Sequence, residues 1–297
     1  MNRDATGLAG ARHITFETLG STNAEALALA RAGERGPLWI SAKTQTAGRG
    51  RRGSIWVSPA GNLYATLLLT EPSEKAGAAQ LSFVAALGLH DAIADCAPPL
   101  GPYVALKWPN DLLIAHKKAA GILIEAETAP VFSVAIGFGV NCSNHPADTE
   151  FPATDLKSFG GNFALAALLE RLAVRMSERL AQWRRGENFA DIRASWLRRA
   201  YGLDAEMRVR LPERELRGRF KGIDEAGRLL LGAEGQVVPV TAGEVFGLGS
   251  SIPPLKGEGR SAEGGSGWGH LRSADPTPTR IASRSDLPLA GGGKERP

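Results

Sequence analysis

Apolar residues along the chain fall into short, strand-like runs and longer, helix-like ones. LWISAKTQT (38–46) and NLYATLLLT (62–70) have the length and the β-branched or aromatic content of strands. The run AGAAQLSFVAALGLHDAIAD reads as a helix at about 77–96, as do the stretches over about 162–185 and 188–200. An alanine- and leucine-rich helix opens at Ser21-Thr22-Asn23-Ala24-Glu25 and runs to Ala32. Thr22 and Glu25 fit a capping box there, and Gly33 fits a C-terminal cap. Four shorter strands follow the long helix: VALKW (104–108), LLIA (112–115), AGILIEAE (120–127) and VFSVAIGFGVN (131–141). Strands joined by short turns as well as by helices predict an α+β fold, a mixed sheet with helices packed on one side.

After Tyr201 the texture changes. AEMRVRL, LRGRFKGI and GRLLLGAEGQVVPV are separated by the turn signals DEAG (224–227) and AEG (233–235). These alternations predict a small β-barrel over 203–250, too small to fold by itself. In the last 47 residues Gly, Pro and Ser supply 21 positions and no apolar period survives. The expected organisation is therefore an extension over 1–13, a catalytic-size unit over 14–202, the β unit over 203–250, and a disordered tail over 251–297.

Composition narrows the classes. A net charge of +4 over 297 residues makes anionic ligands plausible without calling for nucleic acid. Cys96 and Cys142 are the only cysteines, so no disulfide framework or zinc pattern exists. No apolar leader and no uninterrupted membrane-length run stands out, and the expectation is a soluble cytoplasmic protein with no membrane contact.

The chemistry concentrates in three places. Residues 48–53 read GRGRRG, which matches the dinucleotide fingerprint G-x-G-x-x-G. That fingerprint must open a helix, but Pro59, Gly61 and a strand-like run follow. The dinucleotide reading fails on this point, and G-x-x-x-x-G-K-[ST] occurs nowhere. What remains is a loop with three guanidiniums and three glycines, able to hold phosphate or carboxylate, to contact nucleic acid beside Trp56, or to be a solvated charged loop. The second place is Lys107-Trp108-Pro109-Asn110-Asp111, followed by Lys117 and Lys118 before Ala119-Ala120-Gly121. Taken alone, these are compatible with ordinary turns. The third is Gly137-Phe138-Gly139-Val140-Asn141, where glycines ending a strand admit a close approach by a ligand.

In this order, STN (21–23), QTAGRGRRG (45–53), Trp56, SPAGNLY (58–64), KWPNDLL (107–113), KAAGILIE (118–125), GFGVN (137–141) and GIDEAGRLLL (222–231) resemble the biotin–protein ligases across 14–248. The resemblance implies a class II synthetase-like catalytic domain with an SH3-like β-barrel. It implies biotin and ATP as substrates, Mg²⁺ as cofactor, and a biotin carboxyl carrier domain, of the acetyl-CoA carboxylase type, as acceptor. It gives Ser21, Thr22, Asn23 and Gln45 to biotin, with Gly121 in the pocket wall. Gly48, Arg49, Gly50, Arg51, Arg52 and Gly53 form the loop over the adenylate, Trp56 and Asn141 hold adenine, and Gly139 belongs to the same binding set. Lys118, with Arg49 and Arg51, is catalytic; Lys107, Asn110 and Asp111 lie on the phosphate and magnesium side. Relatives that also repress transcription carry an N-terminal helix-turn-helix. Only 13 residues precede Ile14 here, so no repressor activity and no nucleic-acid partner are expected. A monomer or weak homodimer is expected. The related lipoate ligases are the main alternative, and the polar set at Ser21, Thr22 and Gln45 favours a ureido ring over a dithiolane.

Overall fold

The strand Ser133–Val140 shows how one sheet divides the protein into two sides. Its large residues Val134, Ile136, Phe138 and Val140 join the main core, whereas Ala135 joins a second, smaller cluster. Alternation with period two separates the faces, and the small residues mark the face on which the site is built.

The computed structural model describes residues 5–233 and 235–247. In chain order the elements are β1 (Ala5–Leu8), β2 (Ala11–Leu19), α1 (Thr22–Arg31), β3 (Leu38–Gln45), β4 (Leu63–Thr70), α2 (Leu81–Cys96), β5 (Val104–Lys107), β6 (Asp111–Ile114), β7 (Lys117–Glu127), β8 (Ser133–Val140), α3 (Leu165–Trp183) and α4 (Phe189–Leu197). They are followed by β9 (Glu206–Arg210), β10 (Glu215–Ile223), β11 (Leu229–Ala233), β12 (Gln236–Val240) and β13 (Glu244–Gly247). Eight strands form a mixed sheet in the order β1-β2-β3-β4-β8-β7-β6-β5, in which only the β2–β3 pair is parallel. The other five form an antiparallel sheet, β12-β11-β10-β9-β13.

The mixed sheet is as the sequence predicts, but the helices are not all on one side. α2 and α3 pack on the face bearing Trp39, Leu67 and Ile136. α1 packs on the opposite face, its Ala26 and Ala30 against Leu38, Ile40, Leu68 and Ala135. A ten-residue helix with small buried side chains lies close to the sheet while covering little of it, which leaves room beside it for a cavity. Ser21, not Thr22, caps α1: its hydroxyl accepts from the Ala24 N–H at 3.5 Å. Gly33, at φ +92°, follows the last turn as expected.

Residues 5–13 are no separate extension. β1 pairs with β2 through a turn at Ala9 and Gly10, both at positive φ, and so borders the sheet. A four-residue strand is too short for its alternation to stand out in a sequence. Lys75–Cys96 is long and apolar enough by composition to cross a membrane, yet α2 buries ten of its sixteen residues in the core.

The five-stranded sheet shares the main core, since Met207, Phe220, Leu229 and Val245 belong to the same cluster as α2 and α4. Its DEAG turn is the seam. Gly227 sits at φ +79° against Phe83, and its carbonyl accepts from the Trp108 indole N–H at 3.0 Å. The tail over 251–297 lies outside the described residues.

Candidate active site

Between the α1 face of the mixed sheet and β13 lies a cavity of about 480 Å³. Its floor follows from the register of β7 and β8, which sets Gly121 opposite Gly139 and Leu123 opposite Gly137. At Gly139 a β-carbon would come within 2.6 Å of the Trp56 indole, and at Gly137 within 2.2 Å of Asn23 Oδ1. The glycines therefore do more than admit a ligand: Trp56 lies directly on Gly139 and Gly121.

One end of the cavity is a buried polar network at the start of α1. Gln45 Oε1 accepts from the Thr22 N–H at 2.8 Å and from its hydroxyl at 3.2 Å, while Gln45 Nε2 donates to Ser58 Oγ at 3.0 Å. Thr66, fully buried on β4, donates to Asn23 Oδ1 at 2.7 Å and lies 2.8 Å from Thr22 Oγ1. Asn23 Nδ2 in turn donates to Glu125 Oε2 at 2.9 Å. Ser58, Thr66 and Glu125 went unassigned in the sequence. Ser58 lies in the quoted SPAGNLY, and Thr66 interrupts an apolar strand, which was the available signal.

The GRGRRG loop is a small hairpin. Trp56 N–H donates to the Gly48 carbonyl, and Gly50 N–H to that of Ser54 at 2.7 Å, with a bridge between Arg49 and Ile55. A single turn of 3₁₀ helix over Arg51–Gly53 closes it, so no helix follows the glycines and the dinucleotide reading is excluded here as well. Gly48 is required by crowding within the hairpin, since a β-carbon there would lie 2.3 Å from the Trp56 carbonyl oxygen, whereas at Gly50 it would meet only the Ser54 hydroxyl, which can turn aside. Arg49 pairs with Glu125 at 3.1 Å. Arg51 reaches Asn110 Oδ1 and the Gly243 carbonyl, both at 3.5 Å. Burial, then repulsion from Arg52, draws the Arg51 pKa down, against the pull of Asp111 and Glu244.

The other end is a charge cluster. Lys107 and Asp111 are direct cross-strand partners on the β5–β6 hairpin, and Asp111 stands opposite Gly121 of β7. Asp111 Oδ2 lies 3.3 Å from Lys107 Nζ, and Oδ1 lies 2.7 Å from Lys118 Nζ. Burial alone would raise the Asp111 pKa, but Lys118 and Lys107 outweigh it and hold the carboxyl below its ordinary range. Burial pulls the Lys107 pKa down despite Asp111. Its ammonium also lies 4.4 Å from the centre of the Phe151 ring, and Lys118 lies 5.4 Å from that of Trp56.

Of the residues singled out in the sequence, Ser21, Thr22, Asn23, Gln45, Arg49, Gly50, Arg51, Trp56, Lys107, Asn110, Asp111, Lys118, Gly121, Gly139 and Asn141 line this one cavity. Gly48, Arg52 and Gly53 do not: Gly48 is buried against the Trp56 carbonyl and Ser58, and Arg52 and Gly53 are exposed on the hairpin turn, both at positive φ. The Asn141 amide donates to the Thr154 carbonyl at 3.0 Å, tying down the segment after β8. Gly243–Phe246 of the small β unit also line the cavity, which composition did not foretell.

Magnesium fits poorly as a protein-held ion. Among the described residues no three His, Cys, Asp or Glu side chains group together, and both oxygens of Asp111 face lysines. The expectation that Asp111 is a metal ligand is thus not met by its surroundings, because two ammonium groups already balance its charge.

The biotin/lipoate A/B protein ligase family model matches residues 20–141, and the biotin protein ligase C-terminal domain model matches 202–247. A biotin–[acetyl-CoA-carboxylase] ligase of Paracoccus denitrificans is 44% identical over 235 residues, covering 76% of this chain and 96% of the relative. One of Mycobacterium tuberculosis is 34% identical, covering 77% and 86%. The structure of the Aquifex aeolicus biotin protein ligase in complex with biotin and ATP superposes with a TM-score of 0.67 at 26% identity, covering 79% of this chain and 97% of that one. The chain belongs to the biotin protein ligase family.

Proposed function

We propose that this cavity joins biotin to ATP, forming biotinyl-5′-adenylate and pyrophosphate, and passes the biotinyl group to a lysine of an acetyl-CoA carboxylase carrier domain. The carrying observation is the convergence of a buried polar network and a lysine–aspartate cluster in one cavity. The network at Ser21, Thr22, Asn23 and Gln45 suits the ureido ring. The C-terminal domain match over 202–247 also favours a biotin ligase over a lipoate ligase. In the first step a carboxylate oxygen attacks the α-phosphorus and pyrophosphate leaves. Two anions must meet, and Lys118 with Arg49 and Arg51 offsets their repulsion through charge-assisted hydrogen bonds. Mg²⁺ arrives with the nucleotide. In the second step the neutral amine of the carrier lysine attacks the acyl carbon, the bond from carbon to phosphate oxygen breaks, AMP leaves and a proton goes to solvent. No residue of this chain is acylated.

The same reading carries several further points. Trp56 and Asn141 bound the adenine site, and the five-stranded sheet closes as an SH3-like barrel whose β13 edge, Gly243–Phe246, faces ATP. The protein acts in the cytoplasm as a monomer or weak homodimer, without repressor activity. The test is to mix protein, biotin, Mg-ATP and a carrier domain and to weigh the carrier. One added biotinyl group is expected, and activity with lipoate alone would overturn the assignment.

Two variants probe the details. Arg51→Ala is expected to speed loss of the adenylate from the protein about 10–100-fold, the worth of a hydrogen bond to a charged group. Retention of labelled adenylate on a filter reads this directly. Removal of residues 251–297 is expected to leave the turnover of the full chain unchanged in the same carrier assay, because their composition supports no packed core.

A further inference from the structure

We infer that Ile55 and Val57 form a docking ledge for the carrier domain, receiving an apolar side chain next to its acceptor lysine. The inference rests on the ligase reading above. Both residues border the cavity, with 84% and 62% of their surface exposed. Among the described residues only Tyr103, Val174 and Val237 are comparably exposed large apolar side chains, and none of them borders it.

The backbone determines which way these side chains point. In an extended segment successive side chains alternate. Trp56 turns inward onto Gly121 and Gly139, so Ile55 and Val57 turn outward. The segment cannot easily roll over to bury them. Trp56 N–H donates to the Gly48 carbonyl at 3.0 Å, buried Ser58 accepts from Gln45 Nε2, and the indole lies so close on Gly139 that a β-carbon there would come within 2.6 Å of it. An exposed apolar pair held outward in this way costs solubility unless something covers it.

The second step identifies the occupant. A lysine side chain has a four-carbon stem, so an amine that reaches the acyl carbon brings its own backbone down to the cavity rim. The residues next to that lysine must then touch the rim. Among the described residues Ile55 and Val57 are the exposed large apolar side chains of that rim, and an apolar neighbour of the acceptor lysine matches them. Biotin and ATP, by contrast, are held from the inward side of the same hairpin.

The test separates docking from chemistry by changing the nucleophile. In Ile55→Ser/Val57→Ser, pyrophosphate release with biotin and ATP and transfer to hydroxylamine should stay within about twofold of the parent. The KM for a purified acetyl-CoA carboxylase carrier domain should rise about tenfold or more, with kcat nearly unchanged. Serine at the apolar position beside the carrier lysine should raise KM similarly, and combining it with the ledge variant should add little more. An unchanged carrier KM in the folded variant would overturn the ledge. So would an equal loss with hydroxylamine and carrier, which would mean that the pair covers the adenylate. If the parent protein released no pyrophosphate with biotin, the ligase reading itself would be wrong.

Discussion

Lys118→Ala should lower the rate of biotinyl-adenylate formation by about 10²–10³-fold while biotin still binds. That is the usual cost of deleting one pre-oriented donor to developing charge. Pyrophosphate release under saturating ATP measures the rate, and calorimetry measures binding. The split follows from position. Lys118 lies with Asp111 at one end of the cavity, whereas Thr22, Asn23 and Gln45 form a separate network at the other. Near-normal turnover would remove Lys118 from the chemistry. An equal fall in biotin affinity would move it to the binding site.

Asp111→Ala should cost about 3–5 kcal/mol of stability, because it strands Lys107, buried to 6% exposure, without its carboxylate. Urea denaturation of the two proteins would show it. The acid limb should change as well. The folded Asp111 pKa is depressed by Lys118 and Lys107 against its burial. Its contribution is therefore complete above the unfolded value of about 3.9 and is lost as pH falls through the lower folded value. The variant, having already lost this term, should show a shallower fall in stability over that range. Equal stability of the two proteins would show that the Lys107–Asp111 pair contributes nothing net to the fold.

The mixed sheet and most of its elements were legible because strands such as Leu63–Thr70 and the long helix Leu81–Cys96 carry strong local patterns. The second helical face was not. α1 declares its ends through Ser21 and Gly33, but nothing in an alanine-rich decapeptide states which side of a sheet it will cover. That is decided by whether β8 presents Ala135 or Ile136, a property of the register. The site was legible where residue types are unusual, as at GRGRRG and KWPND. It was not legible where common residues act through position. Glu125 looks like one more charge on a strand until the fold brings Arg49 and Asn23 to the same carboxylate oxygen. Arg52 stands beside Arg51 in the loop assigned to the adenylate, and the turn of the hairpin takes it out of the cavity.

The hydrogen-bonded hairpin has a thermodynamic consequence. Because it closes on itself with Trp56 lying on the sheet floor, much of the ordering is completed when the protein folds and little is left for ligand binding. A ligand then meets a wall that loses little conformational freedom on contact, and more of the contact energy is expressed as affinity.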